Sequence, residues 1–141
     1  MDMDVSGIDI IELIPQREPM VMVGALKSVK ENSLTSSLVI SEDNIFSQDG
    51  YFREEGLIEN IAQTAAAMSG YASLKGGSKV NKGYIGSIRK LLVYQLPRVG
   101  SSIETTVELQ GNVMNIDIVY GAVRLGDRVI AECEMRIFVE E

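Results

Sequence analysis

Glu59 and Gln63 stand one helical turn apart inside GLIENIAQTAAAMSGYASLK, residues 56 to 75, a run of good helix formers with small or apolar side chains on nearly every face. An Ala-rich helix surface strips water from a carboxyl, which favours its neutral form and equips Glu59 to hand a proton to a leaving hydroxyl. The plainer alternative sends the same side chain to solvent or to backbone donors at the helix start, where the dipole suits a negative charge. Gln63 shares that face and is expected either to hold Glu59 by a hydrogen bond or to be an ordinary polar helix residue. The chain contains no His and a single Cys, Cys133. Ser-His-Asp triads, Cys-His dyads, a His general base and a Cys/His zinc site are therefore excluded within one chain. No metal and no cofactor is expected, and Cys133, on an apolar row, reads as an inert core thiol.

The elements that must position Glu59 follow from length and periodicity. A chain of 141 residues is expected to form one domain, 1–141, with a core that needs no disulfide. A net charge of −7 argues against a nucleic-acid binder that relies on summed positive charge. The acidic start MDMDVSG does not read as a secretory signal, and no apolar run approaches the ~20 residues of a membrane span, so a cytoplasmic location with no membrane contact is expected.

The apolar spacing predicts a short helix from Ile8 to Leu13, ended near Ile14 by Pro15. Strands are expected over 20–29 and 33–41 with a turn at Glu31-Asn32, then the helix to Lys75, capped by Gly76-Gly77. A long strand over 83–96 and a turn at Pro97 to Gly100 come next. Three alternating strands close the chain, with inward rows read as Ile103, Thr105, Val107, Leu109; Met114, Ile116, Ile118, Tyr120, Ala122; and Val129, Ala131, Cys133, Met135, Ile137, Val139. Gly111-Asn112 and Gly126-Asp127 are the expected hairpin turns. This order gives an α+β hotdog fold, an antiparallel sheet wrapped around a long central helix. Leftover apolar residues such as Ile130 and Phe138 point to a dimer. Met20, Met22, Met68 and Met114 read as core packing in preference to the lining of an acyl tunnel.

Three segments carry a family resemblance. Ile14-Pro15-Gln16-Arg17-Glu18-Pro19-Met20, with the strand after it, resembles the Leu-Pro-His-Arg-x-Pro-Phe segment of the (3R)-hydroxyacyl-acyl carrier protein dehydratases. Ile58-Glu59-Asn60-Ile61-Ala62-Gln63 is similar to their Leu-Glu-Ala-Met-Ala-Gln helix. GYIGSIRKLLVYQLP, from Gly83, extends the likeness to a divergent dehydratase-like branch found with aryl polyene and related polyketide-type pathways. The resemblance covers nearly the whole chain and rests on the order of its motifs.

What the resemblance implies is a 3-hydroxyacyl-acyl carrier protein dehydratase-like protein of fatty acid or polyketide-type biosynthesis. Active members carry a His in a Gly-His-Phe-Pro-Gly loop ahead of the helix, and this base removes the α proton. Here the loop reads Gln48-Asp49-Gly50-Tyr51-Phe52-Arg53-Glu54-Glu55-Gly56, with Tyr51 in the His position, and Gln16 replaces the other family His. In the family the His and the acidic residue of one site come from different subunits. A His-less chain that keeps Glu59 is thus expected to be impaired alone and to act as a homodimer or as the heteromeric partner of an active dehydratase. Gln16, Tyr51, Phe52, Gly56, Gln63 and Gly86 are the candidate substrate-binding residues, Gly56 near the amides that polarise the thioester carbonyl and Gly86, like Gly83, beside the pantetheine arm. Residues 75 to 103 carry Lys75, Lys79, Lys82, Arg89, Lys90 and Arg98 and no Asp or Glu. Lys79, Lys82 and Arg89 are therefore the candidate docking surface for an acidic acyl carrier protein, a CoA thioester being the alternative substrate form. Two other functions stay open: a hotdog thioesterase in which Glu59 activates water, and a non-catalytic acyl-binding module.

Overall fold

A computed structural model describes residues 3–76 and 83–139 of the chain. A 3₁₀ turn at Ile10–Leu13 precedes β1 (Ala25–Lys30) and β2 (Ser33–Val39). The short strands β3 (Ser47–Gln48) and β4 (Tyr51–Phe52) lead into α1 (Glu54–Lys75). β5 (Gly83–Val93), β6 (Ser102–Val113), β7 (Ile116–Leu125) and β8 (Arg128–Val139) complete the chain. The six long strands form one antiparallel sheet of order β1-β2-β6-β7-β8-β5, wrapped around α1 as a hotdog fold. Among the described residues no helix is long and apolar enough to cross a membrane.

Two close approaches seat the helix. A Cβ on Gly70 would collide with the backbone carbonyl of Leu13, so the 3₁₀ turn lies directly on α1 there. A Cβ on Gly121 would collide with Ile61, whose side chain fills the space over β7. Ile61 is fully buried, a side chain whose removal from water is worth about 1.5–3 kcal/mol. Acidic Glu54 and Glu55 in the first turn and Lys75 in the last match the helix dipole.

Several expectations are corrected. Residues 20 to 24 are not strand; β1 begins at Ala25. Gly111-Asn112 lies inside β6, and the hairpin turns at Met114 and Asn115, with Met114 at φ 58. The cause is a bulge between Leu109 and Gly111 that lengthens β6. Val107 then pairs with Gly121 and Leu109 with Val119, and directly paired residues share a face. Val119, Gly121 and Val123 consequently face the helix, while the row predicted inward, Ile116, Ile118, Tyr120 and Ala122, lies on the outer face. Met114 is 90% exposed, so it belongs neither to the core nor to a tunnel.

A second irregularity, between Val123 and Arg124, lets β8 skip a residue. Ile130 is thereby buried in the core and is not left over for a partner, whereas Val129 and Phe138 are exposed. Gly76 ends the helix at φ −84, not in the left-handed region, with its N–H on the Ala72 carbonyl. The inward rows of β2, β6 and β8 from Ala131 to Ile137 are as expected.

Candidate active site

One stripe of α1 stays partly open. Leu57, Asn60, Ile61, Gln63, Thr64 and Ala67 are buried, whereas Ile58, Glu59, Ala62, Ala66 and Ser69 keep partial exposure. Glu59 is on this stripe, and among the described residues it makes no hydrogen bond or ion pair, so its carboxyl is uncommitted. Farther along the same stripe, Ala66 and Ser69 border a gap of about 20 Å³ with Gly83 of β5, Val119 and Ile137. The open side of the helix therefore turns toward β5. Among the described residues that strand pairs only with β8 and stands at the edge of the sheet. Tyr84, Ile85, Ile88, Leu91 and Leu92 on it are all exposed.

Gln63 does not hold Glu59. It is fully buried, its Oε1 accepts from the Met22 N–H at 2.7 Å and its Nε2 donates to the Met20 carbonyl at 2.7 Å. Both ends of the amide are consumed in tying the segment before β1 to the helix. Asn60, which sequence reasoning passed over, completes this clamp: its Nδ2 donates to the Met22 carbonyl at 2.7 Å and its Oδ1 accepts from Thr105. Thr64 donates to the Asn60 carbonyl and also bonds the Ser36 hydroxyl, each at 2.7 Å. Ser36 and Thr105 are register partners on β2 and β6. The signal was present as polar residues at spacing three and four on an apolar helix, matched by lone hydroxyl residues in otherwise apolar strand rows. The Met22 N–H and carbonyl and the Met20 carbonyl are thus satisfied by side chains of α1 and not by a strand ladder.

The remaining candidates lie at two places. Gln16 is partly buried, and its Oε1 is enclosed without a donor among the described residues; beside it the Arg17 guanidinium donates to the carbonyls of Ile14 and Gln16 at 2.7 Å each. Tyr51 and Phe52 belong to a hairpin turned by Asp49 and Gly50, both at positive φ. Phe52 is fully buried, and its ring lies where a Cβ on Gly56 would sit. The Gly56 N–H donates to the Arg53 carbonyl at 3.0 Å. Tyr51 is half-buried, with the Arg98 guanidinium 5.1 Å from its ring centroid.

On β5, the Phe138 ring covers Gly86, and Arg89 is exposed opposite Glu134. Lys79 and Lys82 lie outside the described residues. Burial pushes the Cys133 thiol up to about 11, which keeps it protonated and unreactive. Away from the stripe, the Tyr94 and Tyr120 hydroxyls both donate to the Glu132 carboxylate, at 2.8 and 3.0 Å. No group of acidic, Cys or His residues able to hold a metal occurs among the described residues.

Comparisons bear on this arrangement. The ApeP-like family, described as ApeP dehydratase, matches residues 8–141. Among curated proteins no match was found. A chain of the dehydratase heterocomplex ApeI:P from Xenorhabdus doucetiae superposes with a TM-score of 0.89 at 18% identity, covering 95% of this chain and 92% of that one. A hypothetical thioesterase from Streptococcus pneumoniae, solved with coenzyme A, gives 0.66 at 7% identity over 82% and 84% of the two chains. The smu.793 protein of Streptococcus mutans, bound to acetyl CoA, gives 0.65 at 9% identity over 82% and 86%. At these identities the likeness is one of fold.

Proposed function

The chain belongs to the ApeP-like dehydratase family, and on that premise we propose that it supplies Glu59 to the dehydration of 3-hydroxyacyl thioesters in a heteromer with a His-bearing paralogous dehydratase. The observation that carries this reading is the uncommitted Glu59 carboxyl, on the open stripe of α1, in a chain without His. In the reaction the partner's base takes the α proton as the bond between the α and β carbons becomes double. Glu59 gives its proton to the departing 3-hydroxyl, which leaves as water.

The position of β5 at the edge of the sheet and its exposed apolar side chains offer the surface on which such a partner would continue the sheet. The ApeI:P complex, named as a dehydratase heterocomplex, supports pairing of this kind. Acyl carrier protein is the expected substrate carrier, and biosynthesis of fatty acid or polyketide type the expected setting.

The test is co-expression with a His-bearing hotdog paralogue encoded nearby. The reading expects a co-purifying complex that converts 3-hydroxyacyl thioesters to enoyl thioesters and that loses about a hundredfold or more of its activity in Glu59→Gln. Separate homodimers, or a complex indifferent to Glu59→Gln, would overturn it. The resemblance in fold to a hypothetical thioesterase keeps hydrolysis as the second reading; free thiol released from acyl thioesters by the chain alone, and lost in Glu59→Gln, would establish it instead.

A further inference from the structure

The face of the sheet turned away from α1 carries a row of paired positions that crosses four strands. Tyr84 of β5 pairs with Phe138 of β8, Phe138 with Ile116 of β7, and Ile116 with Val113 of β6, and directly paired residues share a face. Ile137, next to Phe138 in the chain, is in the core, so alternation turns this row outward. Tyr84 is 53% exposed, Phe138 44% and Val113 59%. The Phe138 ring is seated against Gly86, where a Cβ would collide with it. Two turns of the pleat along, Leu92 and Tyr94 are exposed on the same face, with the Tyr94 hydroxyl on Glu132, the register partner of Leu92. Scattered apolar residues are ordinary on a surface, but a contiguous aromatic and aliphatic patch marks an interaction site. A partner that continues the sheet from β5 lies beside this face and leaves it uncovered.

The charges between the two apolar ends are unspent. Arg136 pairs with Ser87 and Ile118 on this face. It is partly buried, its Nε is enclosed without an acceptor, and it makes no hydrogen bond or ion pair among the described residues. A guanidinium half withdrawn from water without an acceptor carries a cost that a facing carboxylate would remove. Glu134, two residues earlier on the same face, also makes no hydrogen bond or ion pair among the described residues. Glu132 is already engaged by the Tyr94 and Tyr120 hydroxyls.

We propose that this outer face is a two-fold interface with a second copy of the chain, packed sheet against sheet. A two-fold axis that lies between the sheets and crosses β8 at Met135 sets each Arg136 opposite Glu134 of the other copy. It also lays the Tyr84 and Phe138 end of one sheet over the Leu92 and Tyr94 end of the other, at the spacing of about 10 Å usual for stacked sheets. One surface thus supplies both charges and both apolar ends, which is the condition for an isologous contact. An acidic protein of another sequence would satisfy Arg136 and meet repulsion at Glu134. The contact is independent of the thioester reading.

Sedimentation equilibrium on the assembly in which the chain is isolated, over a range of concentrations, reads its mass. Arg136→Glu and Glu134→Arg are each expected to halve that mass at a concentration where the unaltered assembly stays whole. The double variant, which restores opposite charges across the axis, is expected to recover the full mass. Leu92→Lys, a change at an exposed side chain, also halves it. Unchanged circular dichroism shows that each variant keeps its fold, and if one charge reversal does not fold, the other and Leu92→Lys give the same readout. A mass unmoved by every single variant overturns the interface. A double variant that folds and stays at half mass overturns the pairing of Arg136 with Glu134 and the two-fold axis with it. A mass that falls only through loss of a co-purifying protein of different sequence overturns the second copy as the occupant.

Discussion

Gln63→Met isolates the clamp between α1 and the segment before β1. Methionine nearly matches glutamine in length and volume, so the change deletes two hydrogen bonds and opens little cavity. The Met22 N–H it strands lies beside a fully buried residue, and an orphaned buried donor costs about 1–3 kcal/mol. The Met20 carbonyl belongs to a residue that is 39% exposed, so water can replace part of that bond, at a cost of about 1 kcal/mol. The expected total is about 2–4 kcal/mol, or roughly 5–15 °C in melting temperature for a domain of this size. Urea unfolding followed by circular dichroism measures it, with the slope unchanged. Limited proteolysis supplies a local readout, with faster cleavage between residues 14 and 24 under native conditions. A Gln63→Met protein within about 0.5 kcal/mol of the unaltered one, with the segment equally resistant, would refute the clamp.

Three further outcomes follow from single contacts. Glu59→Gln should change unfolding stability by less than about 0.5 kcal/mol, since the carboxyl has no hydrogen bond or ion pair among the described residues; a large loss in the same urea assay would assign it a structural role. Gly121→Ala forces a methyl into Ile61 and should cost about 1–3 kcal/mol, with recovery in the double variant Gly121→Ala, Ile61→Ala read by a double-mutant cycle. Cys133 is raised from 9.0 to about 11 by burial, so the unfolded chain gives up this thiol proton first. Its contribution to stability is intact below about pH 9 and fades as pH rises toward 11. Denaturant melts across that range should show a shallower decline in Cys133→Ala, and thiol labelling of the unaltered chain should accelerate only as it unfolds.

Much of the fold is legible in the residues taken in order. The apolar helix, the turn at Glu31-Asn32, and the inward rows Leu34 to Ile40, Ile103 to Leu109 and Ala131 to Ile137 are local patterns of period 3.6 or two, and they hold. β7 shows where such patterns stop. Its two rows are both largely apolar, so alternation alone does not say which one faces in. The bulge at Gln110 and the seat that Gly121 offers Ile61 decide the matter through pairing across the sheet. Ile130 is misassigned for the same reason, because one skipped residue on β8 reverses the parity upstream of Ala131.

The candidate site divides along the same line. From residue types alone came the absence of a His base, the carboxyl on an apolar helix and the local excess of basic residues, since these are matters of composition and near-neighbour spacing. Only the tertiary structure decided that Gln63 binds Met22, 41 residues away, that Asn60 joins it, and that Arg53 and Arg98 line one groove. A hydrogen-bond partner or a charge cluster drawn from distant segments is specified by how strands and helix pack, and short-range periodicity carries no record of that packing.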